Sequence, residues 1–273
     1  MNPAVHYIDI VRVGPSARAS APDVVAAEEP LEIRLAGQPF VVIMRTPGAD
    51  RDLATGFLLS EQIVREFGEV SRMRYCTDED GRDTDNVLNV WLTGDAVARA
   101  QAAMAGRRHV TANSACGVCG RRSIDDLMAG IRRVDGAMTA SREVIGMLPD
   151  ALRAAQRTFD ETGGLHAAGL FDRDGTLLRV AEDVGRHNAV DKVVGAEFAS
   201  GRVPLSEHIL FVSGRTSFEI IQKAVVAGVH VVAAVSAPSS LAIELAREAN
   251  VTLLGFVRGR TFNIYSGAER VVP

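Results

Sequence analysis

The chain has 273 residues, of which 47% are hydrophobic, and its formal net charge at pH 7 is −4. This length accommodates one large α/β domain, or one domain with a smaller appendage. The charge does not favour broad binding to nucleic acids or membranes, and no apolar run reaches the roughly 18–20 residues that span a bilayer. The N-terminus carries no signal-peptide pattern. Three cysteines, two of them almost adjacent, favour reduced thiols in the cytoplasm over a disulfide framework.

The N-terminal part predicts a flexible lead-in followed by a small, strand-rich α+β unit. Residues 1–28 are rich in Ala, Pro, Ser and Val without a period, which is typical of a loosely ordered segment. Within residues 29–110, alternating apolar residues predict two strands around a turn at Gly37. A helix is predicted from Asp52, followed by two strands that flank an exposed acidic turn at residues 77–85.

The remainder, residues 123–273, predicts an α/β core. Apolar runs at residues 208–214, 230–236 and 251–257 alternate with two helical patterns. This β-α-β-α-β order predicts a mostly parallel sheet with flanking helices. Because the carboxyl ends of parallel strands meet at one edge, the loops that follow these runs are expected to lie together.

The most distinctive stretch is NSACGVCGRRS, residues 113–123, which places Cys116 and Cys119 in a CxxC motif with a glycine after each cysteine. A helix is predicted to begin just beyond Cys119. A helix N-terminus and the neighbouring arginines stabilise a thiolate, which is the reactive form of cysteine. Residues 111–122 are therefore predicted to be an exposed, mobile loop that carries a nucleophile.

Other chemistries are possible for a CxxC motif. A structural zinc site takes four ligands, but Cys76 is interpreted as a small core residue and His166 has no partner histidine at metal spacing. A thioredoxin-like dithiol usually follows the first strand of a small domain, whereas this motif is mid-chain. A zinc deaminase needs a glutamate where Ala168 stands. These comparisons favour a reactive cysteine, and leave a redox dithiol or a zinc ion held by both thiols as alternatives.

A dense polar cluster, EDVGRHNAVDK at residues 182–192, follows a predicted hairpin turn at Asp174 and Gly175. One interpretation is a solvated helix face with pairs such as His187 and Asp191. Valines bracket the cluster, however, so several of its polar groups are expected to be partly buried and to need partners. A ligand pocket is the second interpretation.

Three loops after the C-terminal strands are candidates for ligand contact. Residues 214–217 stand between a strand and a helix, where α/β sheets bind phosphate, and Thr216 with Glu219 fits a capping box. Residues 236–240 repeat this geometry. The third loop offers one aromatic ring and two guanidinium groups, from Phe256, Arg258 and Arg260.

Five ordered motifs resemble the FdhD family of formate dehydrogenase accessory sulfurtransferases: ACGVCG, EDVGRHNAVDK, SGRTSFEIIQKA, AVSAPSSLAI and NIYSG. The resemblance runs from about residue 29 to the C-terminus, includes MRTPGADRDLATGFLLSEQIV, and shows no departure at the cysteines. It implies a cytidine-deaminase-like α/β core and a homodimer.

The resemblance also implies a sulfur carrier. Such proteins accept sulfur from a cysteine desulfurase as a persulfide, and pass it to the molybdenum bis(molybdopterin guanine dinucleotide) cofactor, bis-MGD, for formate dehydrogenase. The persulfide cysteine corresponds to Cys116, Cys119 would assist, and the family's cofactor-binding segment falls on residues 255–261. With the loops above, the predicted cofactor-binding residues are Gly255, Phe256, Val257, Arg258, Gly259, Arg260, Thr261, Gly214, Arg215, Thr216, Ser217 and His187.

No permanently bound metal, nucleic acid or membrane partner is predicted. Two other function classes stay open. The first is a non-catalytic chaperone that binds the molybdenum cofactor and hands it on. The second is a zinc-dependent, deaminase-like enzyme, which would need the thiols as metal ligands.

Overall fold

The computed structural model describes residues 2–15, 17–77, 83–107 and 133–273. The CxxC motif, and the helix predicted after it, lie outside these residues. Over the described ranges the chain forms four sheets and seven α-helices. None of the helices in these ranges has the length and apolar character needed to cross a bilayer.

The first two strands form a hairpin within the segment, residues 1–28, that the sequence predicts to be a flexible lead-in. β1 (Val5–Val13) and β2 (Arg18–Ala26) pair antiparallel along their whole length. The structure thus differs from the prediction over these strands. Their order comes from pairing with each other, and cross-strand contacts leave little trace in local composition.

The N-terminal unit is a four-stranded sheet in the order β4-β3-β6-β5. β3 pairs antiparallel with β4, and the turn between them includes Gly37, as predicted. β3 also pairs parallel with β6, whose other neighbour is the antiparallel β5. The strands are β3 (Glu29–Leu35), β4 (Gln38–Arg45), β5 (Val70–Thr77) and β6 (Asp83–Leu92).

Two helices accompany this sheet. α1 (Asp50–Ser60) confirms the helix predicted near Asp52, and its apolar side chains Leu53 and Leu58 are completely buried. α2 (Ala96–Arg107) follows β6. Because α1 is covered on nearly every side, it belongs to the interior of the protein and joins the N-terminal sheet to the rest of the core.

The segment PDALRAAQRTF, residues 149–159, predicts one helix that ends at Gly163 and Gly164, but the structure forms two helices here. α3 (Arg142–Ala155) begins before Pro149, which lies inside the helix, and α4 (Arg157–Thr162) follows after a break at Gln156. The second helix ends at Gly163, as predicted, because glycine readily adopts the left-handed conformation seen there. Proline is favoured as the first residue of a helix, so the sequence predicts a start at Pro149, whereas the helix begins at Arg142.

The largest sheet has six strands in the order β13-β12-β11-β10-β8-β9. A small parallel pair, β7 (Ala140–Ser141) with β14 (Val271–Val272), lies apart from it. The six strands are β8 (His166–Asp172), β9 (Leu177–Asp183), β10 (His208–Val212), β11 (Val231–Ala234), β12 (Thr252–Arg258) and β13 (Thr261–Ser266).

Three helices connect these strands: α5 (Arg186–Ala199), α6 (Phe218–Val226) and α7 (Ser240–Glu248). The predicted order β10-α6-β11-α7-β12 is confirmed, and these three strands are parallel. The sheet as a whole is mixed, however, which corrects the prediction of a mostly parallel sheet. The β8–β9 and β12–β13 pairs are hairpins, and a short turn can only join antiparallel strands.

Both faces of the six-stranded sheet are buried. Along β10, Leu210 and Val212 belong to one apolar cluster, whereas Ile209 and Phe211 belong to a second. Helices α1, α5, α6 and α7 contribute to the first cluster and α3 to the second. The sheet is therefore the middle layer of three, which explains why its strands read as continuous apolar runs.

Helices α1 and α5 cross at very short range. A Cβ added at Gly56 would overlap the backbone of Asp191, and one added at Gly195 would overlap the backbone of Asp52. The absence of a side chain at these two positions lets the two backbones touch. This contact fixes the N-terminal unit against the six-stranded sheet.

We expect Gly56→Ala to destabilise the protein. Alanine favours a helix over glycine by about 1 kcal/mol, but overpacking a tight interior typically costs about 1–3 kcal/mol and occasionally more. The overlap involves backbone atoms, so the cost should exceed the gain and the free energy of unfolding in urea should fall. Gly14→Ala is the control, because a Cβ there meets only one atom, at 3.9 Å. Equal stability of the two variants would contradict this packing.

Candidate functional site

One edge of the six-stranded sheet collects most of the predicted ligand contacts. β10, β11 and β12 are parallel, so the loops that follow them leave the sheet on the same side. β8 is antiparallel to β10, so it starts at this edge, and β9 ends there beside it. We call this region the carboxyl edge: His166, residues 183–187, 214–217 and 236–239, and residues 255–261.

The loop after β10 is tied to the loop after β11. The backbone N–H of Thr216 donates to the carbonyl of Ala237 at 3.1 Å, and its carbonyl accepts from the N–H of Ser239 at 2.9 Å. The side chain of Thr216 is completely buried. The N-cap of α6 is Ser217, so the predicted capping box of Thr216 with Glu219 is wrong, because Thr216 is held in a β-bridge instead.

The hairpin between β12 and β13 supplies the third loop. Phe256 has a φ of +53°, and its exposed ring stands at an irregularity in the pairing. Positive φ is rare for a bulky residue, and such conformations cluster at functional sites. Val257 is completely buried in the second apolar cluster, so its side chain belongs to the core and not to a ligand contact. The exposed residues at this tip are Phe256, Arg258, Gly259, Arg260 and Thr261.

His187 lies in the first turn of α5 and faces the start of α6. Its Nε2 is 2.9 Å from the hydroxyl oxygen of Ser217 and 3.6 Å from Oε2 of Glu219. In a Ser-His-acid triad the serine and the acid contact different ring nitrogens. Here one nitrogen faces both groups, so the arrangement positions the imidazole but does not form a hydrolytic triad.

These contacts also hold Glu219 in its charged form. Burial by itself would raise the pKa of Glu219, but the hydrogen bonds from His187 and Ser217 outweigh it and lower the pKa from 4.5 to about 2. Glu219 is therefore ionised at any pH near neutrality.

Most of the polar cluster at residues 182–192 has a structural role. Asp183 is fully buried and pairs with the ammonium group of Lys192 at 2.7 Å. It also accepts hydrogen bonds from the side-chain amide of Asn188 at 2.8 Å and from the backbone N–H of Thr46 at 3.2 Å. Lys192 in turn donates to the carbonyl of Thr46 at 2.9 Å. The expectation of buried, partnered groups is confirmed, but their partners are protein groups.

Asp191 makes a second buried ion pair. Both of its carboxylate oxygens lie 2.7 Å from the ammonium group of Lys223, and the hydroxyl of Ser60 donates to it at 2.9 Å. The pair connects α5 with α6 and α1. Asp191 is therefore committed to Lys223, and the alternative of a solvated pair with His187 does not describe the structure.

Two residues at the carboxyl edge are absent from the predicted contacts. His166 is the first residue of β8, and Arg186 is the first residue of α5. Burial lowers the pKa of His166, and the positive charges of Arg186 and Arg215 lower it further. The imidazole is therefore neutral at pH 7. Only the pairing of β8 with β10 brings His166 to the loop at Gly214, so local sequence gives little signal for it.

The predicted catalytic residues Cys116 and Cys119 lie outside the described residues. Cys76, on β5, is a half-buried free thiol. In the part of the chain that the structure describes, no three His, Cys, Asp or Glu side chains are grouped so that they could hold a metal ion.

Comparison with known proteins shows which family this chain belongs to. The sequence model of the FdhD/NarQ family matches residues 26–272. The chain belongs to the FdhD/NarQ family. A protein of Nocardia farcinica named sulfur carrier protein FdhD is 52% identical over 96% of this chain and 93% of its own length. One of Streptomyces avermitilis with the same name is 49% identical over 96% of this chain and 94% of its own length.

A solved structure shares the fold of this chain. The crystal structure of a putative formate dehydrogenase accessory protein from Desulfotalea psychrophila superposes with a TM-score of 0.76. It covers 99% of this chain and 100% of that protein, at 21% identity. The shared fold therefore extends over the four-stranded and the six-stranded sheets.

We expect Lys192→Met to be strongly destabilising. The substitution leaves Asp183 buried without its cation, and breaking such a pair typically costs about 3–5 kcal/mol. Arg202→Met is the control, because Arg202 pairs with Glu197 through a half-exposed side chain, and pairs of that kind contribute about 0–1 kcal/mol. Unfolding in urea measures both variants. If Lys192→Met lowered the free energy of unfolding as little as Arg202→Met does, the pair of Asp183 with Lys192 would not stabilise the carboxyl edge.

The low pKa of Glu219 predicts a pH dependence of stability. A carboxylate with a lowered pKa stabilises the folded protein above its ordinary pKa of 4.5, and this stabilisation is lost as the pH falls towards 2. We expect the wild type to be more stable than Glu219→Gln at pH 6, and the difference to shrink between about pH 5 and pH 2. Urea unfolding at several pH values checks this, with Glu248→Gln on the exposed face of α7 as control. A difference that does not vary with pH would contradict it.

Proposed function

We propose that the protein is a sulfur carrier that delivers sulfur to the molybdenum bis-MGD cofactor of a formate dehydrogenase. The observation that carries the proposal is the carboxyl edge, where loops suited to a nucleotide-bearing anion meet, in a chain 52% identical to a protein named sulfur carrier protein FdhD. The name of the Desulfotalea protein, a formate dehydrogenase accessory protein, supports formate dehydrogenase as the client.

The first chemical step is an exchange between cysteines. The thiolate of Cys116 attacks the terminal sulfur of a persulfide on a cysteine desulfurase. The sulfur–sulfur bond of the donor breaks, the donor cysteine leaves as a thiolate, and Cys116 becomes the persulfide, so no external oxidant or reductant is required. Cys119 assists as a second thiol. The arginines at positions 121 and 122 favour the thiolate over the thiol.

The second step passes the terminal sulfur to the acceptor. The sulfur–sulfur bond breaks and Cys116 leaves as a thiolate. The transferred atom is at the oxidation level of elemental sulfur, so its conversion to sulfide takes two electrons, which we assign to the molybdenum centre of the substrate. The protein's own task is to hold this substrate within reach of Cys116.

The carboxyl edge has the groups needed for such a substrate. Phosphate groups are bound by helix N-termini and guanidinium groups, and a guanine base stacks on an aromatic ring. The edge offers the starts of α5 and α6, the exposed guanidinium groups of Arg215, Arg258 and Arg260, and the ring of Phe256. Among the residues predicted to bind the cofactor, Thr216 and Val257 have buried side chains, which support the loops and do not contact the ligand.

The proposal includes the setting in which this chemistry takes place. The sulfur donor is a cysteine desulfurase, the client is formate dehydrogenase, and the protein works in the cytoplasm as a homodimer. It needs neither nucleic acid nor a membrane. The cytidine-deaminase-like description of the core is part of the same proposal, and the described mixed sheet with helices on both faces is compatible with it.

We expect Cys116→Ala to abolish protein-bound persulfide and the maturation of formate dehydrogenase. The experiment incubates the purified protein with a cysteine desulfurase and cysteine, and maps by mass spectrometry the adduct of about 32 Da that one added sulfur atom produces. Formate dehydrogenase activity is measured in cells that carry each variant. Cys76→Ala is the matched control, because Cys76 lies on β5 of the N-terminal sheet.

The variants also separate the two leading hypotheses. A sulfur carrier loses both readouts with Cys116→Ala and retains both with Cys76→Ala. A non-catalytic chaperone would retain maturation when both cysteines of the CxxC motif are replaced, and would lose it with Arg258→Gln and Arg260→Gln. Stoichiometric zinc that is lost with Cys116→Ala would instead favour a metalloenzyme.

A further inference from the structure

A cavity of about 390 Å³ lies between the N-terminal unit and the end of α5. We call it the α1–α5 cavity. It is lined by the first half of α1, the start of β5 with the loop before it, and the last two residues of α5. Pockets that hold small molecules in proteins have volumes of about 300–1,000 Å³. Phe198 lies on α5 well beyond Arg186, so at about 1.5 Å per residue the cavity is roughly 18 Å from the carboxyl edge.

Asp52 supplies the negative charge of the α1–α5 cavity. Its carboxylate is half-buried, and within the described residues it makes no hydrogen bond or ion pair. Burial raises the pKa of Asp52 more than the charges of Arg179 and Lys192 lower it. Arg179 is already paired with Glu197, and Lys192 is paired inside the protein as described above. Asp52 can therefore receive a cation from outside the chain.

Two guanidinium groups supply the positive charge. Arg51 and Arg72 line the cavity and are exposed, and neither contacts a carboxylate in the part of the chain that the structure describes. The Cζ atom of Arg72 lies 4.0 Å from the centre of the Trp91 ring, and this cation–π contact fixes the side chain. Guanidinium groups bind carboxylates through two parallel hydrogen bonds. This side of the cavity is therefore suited to a carboxylate.

Apolar side chains form much of the remaining lining. Phe67 is 69% exposed, and its ring atoms lie 3.7–3.9 Å from the position of a Cβ at Gly201, so the ring rests against the loop after α5. Phe198 is buried and Met73 is half-buried. Aromatic rings and a thioether pack well against an apolar group of a ligand. An apolar ligand group would cover the exposed ring of Phe67.

We propose that the α1–α5 cavity binds a free α-amino acid with an apolar side chain. The ammonium group of the amino acid contacts Asp52, its carboxylate contacts Arg51 and Arg72, and its side chain packs against the two phenylalanines. The arginines repel a simple cation and Asp52 repels a simple anion, whereas a zwitterion matches both charges. Arg51 and Asp52 belong to the motif MRTPGADRDLATGFLLSEQIV, in which the proposed function gives them no role. The inference therefore goes beyond the proposed function.

The test measures ligand binding to the full-length protein by isothermal titration calorimetry. Phenylalanine and methionine are the probes. Two analogues of phenylalanine each lack one charge: 3-phenylpropanoate has no ammonium group, and phenethylamine has no carboxylate. We expect both amino acids to bind at millimolar concentrations or below. Each analogue should bind at least about tenfold more weakly than phenylalanine, because it leaves one charged group of the cavity without a partner.

Two variants assign the contacts to residues. Asp52→Asn should weaken phenylalanine binding about ten- to a hundredfold, as expected for the loss of one charge-assisted hydrogen bond, and should not weaken the binding of 3-phenylpropanoate. Arg51→Gln should weaken phenylalanine binding and should not weaken the binding of phenethylamine. The matched controls are Asp150→Asn on α3 and Arg173→Gln in the turn between β8 and β9, where both side chains are exposed and outside the cavity.

Thermal denaturation separates binding from folding. Asp52→Asn removes a half-buried charge that has no partner among the described residues, so the variant should be at least as stable as the wild type. Arg51 is exposed, so Arg51→Gln should also keep the wild-type melting temperature.

Three results would overturn the amino-acid site. The first is that neither phenylalanine nor methionine binds the wild type. The second is that an analogue with a single charge binds as tightly as phenylalanine does, which would show that the cavity does not recognise a zwitterion. The third is that phenylalanine binding is unchanged in both Asp52→Asn and Arg51→Gln, which would place the ligand elsewhere on the protein.

Discussion

The buried ion pair between Asp183 and Lys192 is the constraint on which the candidate site depends. Asp183 ends β9 and Lys192 lies on α5, and both also bond to the backbone of Thr46, beyond the end of β4. A buried carboxylate and ammonium are costly unless every polar atom is satisfied, so these contacts select one relative position of the N-terminal sheet, β9 and α5. That position sets where α5 begins, and therefore where Arg186 and His187 stand.

The framework and the candidate site divide the charged residues between them. Lys192 and Lys223 neutralise Asp183 and Asp191 inside the protein, and Gly56 lets the backbone of α1 come close to that of α5 at Asp191. At the carboxyl edge the balance is different, because Arg186 and Arg215 have no carboxylate partner among the described residues. A protein that satisfies its interior charges so fully and leaves these cations together is suited to an anionic ligand.

Local sequence predicted the elements better than their arrangement. The strong apolar runs of β10, β11 and β12 predict parallel strands whose loops meet at one edge, and this prediction is confirmed. The antiparallel pairing of β8, β9 and β13 is not predicted, because an apolar run does not show the direction of its strand. The motifs predict ligand contact for Val257 and Thr216, but alternation along β12 turns the side chain of Val257 into the interior, and a β-bridge does the same for Thr216. The β1–β2 hairpin is held by pairing that its composition does not reveal.

The sequence by itself determined the family, the CxxC nucleophile candidate and the strand-to-helix loops, because each depends on residues that are close along the chain. Only the tertiary structure decided which charges are structural and which remain for a ligand. In the motif EDVGRHNAVDK, the charged residues Asp183, Arg186 and Asp191 cannot be told apart by their roles. In the structure Asp183 and Asp191 are paired inside the protein, whereas Arg186 is not. Lys192, the partner of Asp183, belongs to the same motif. The other partners of the two carboxylates, Thr46 after β4, Ser60 on α1 and Lys223 on α6, are far away in sequence and adjacent only after folding.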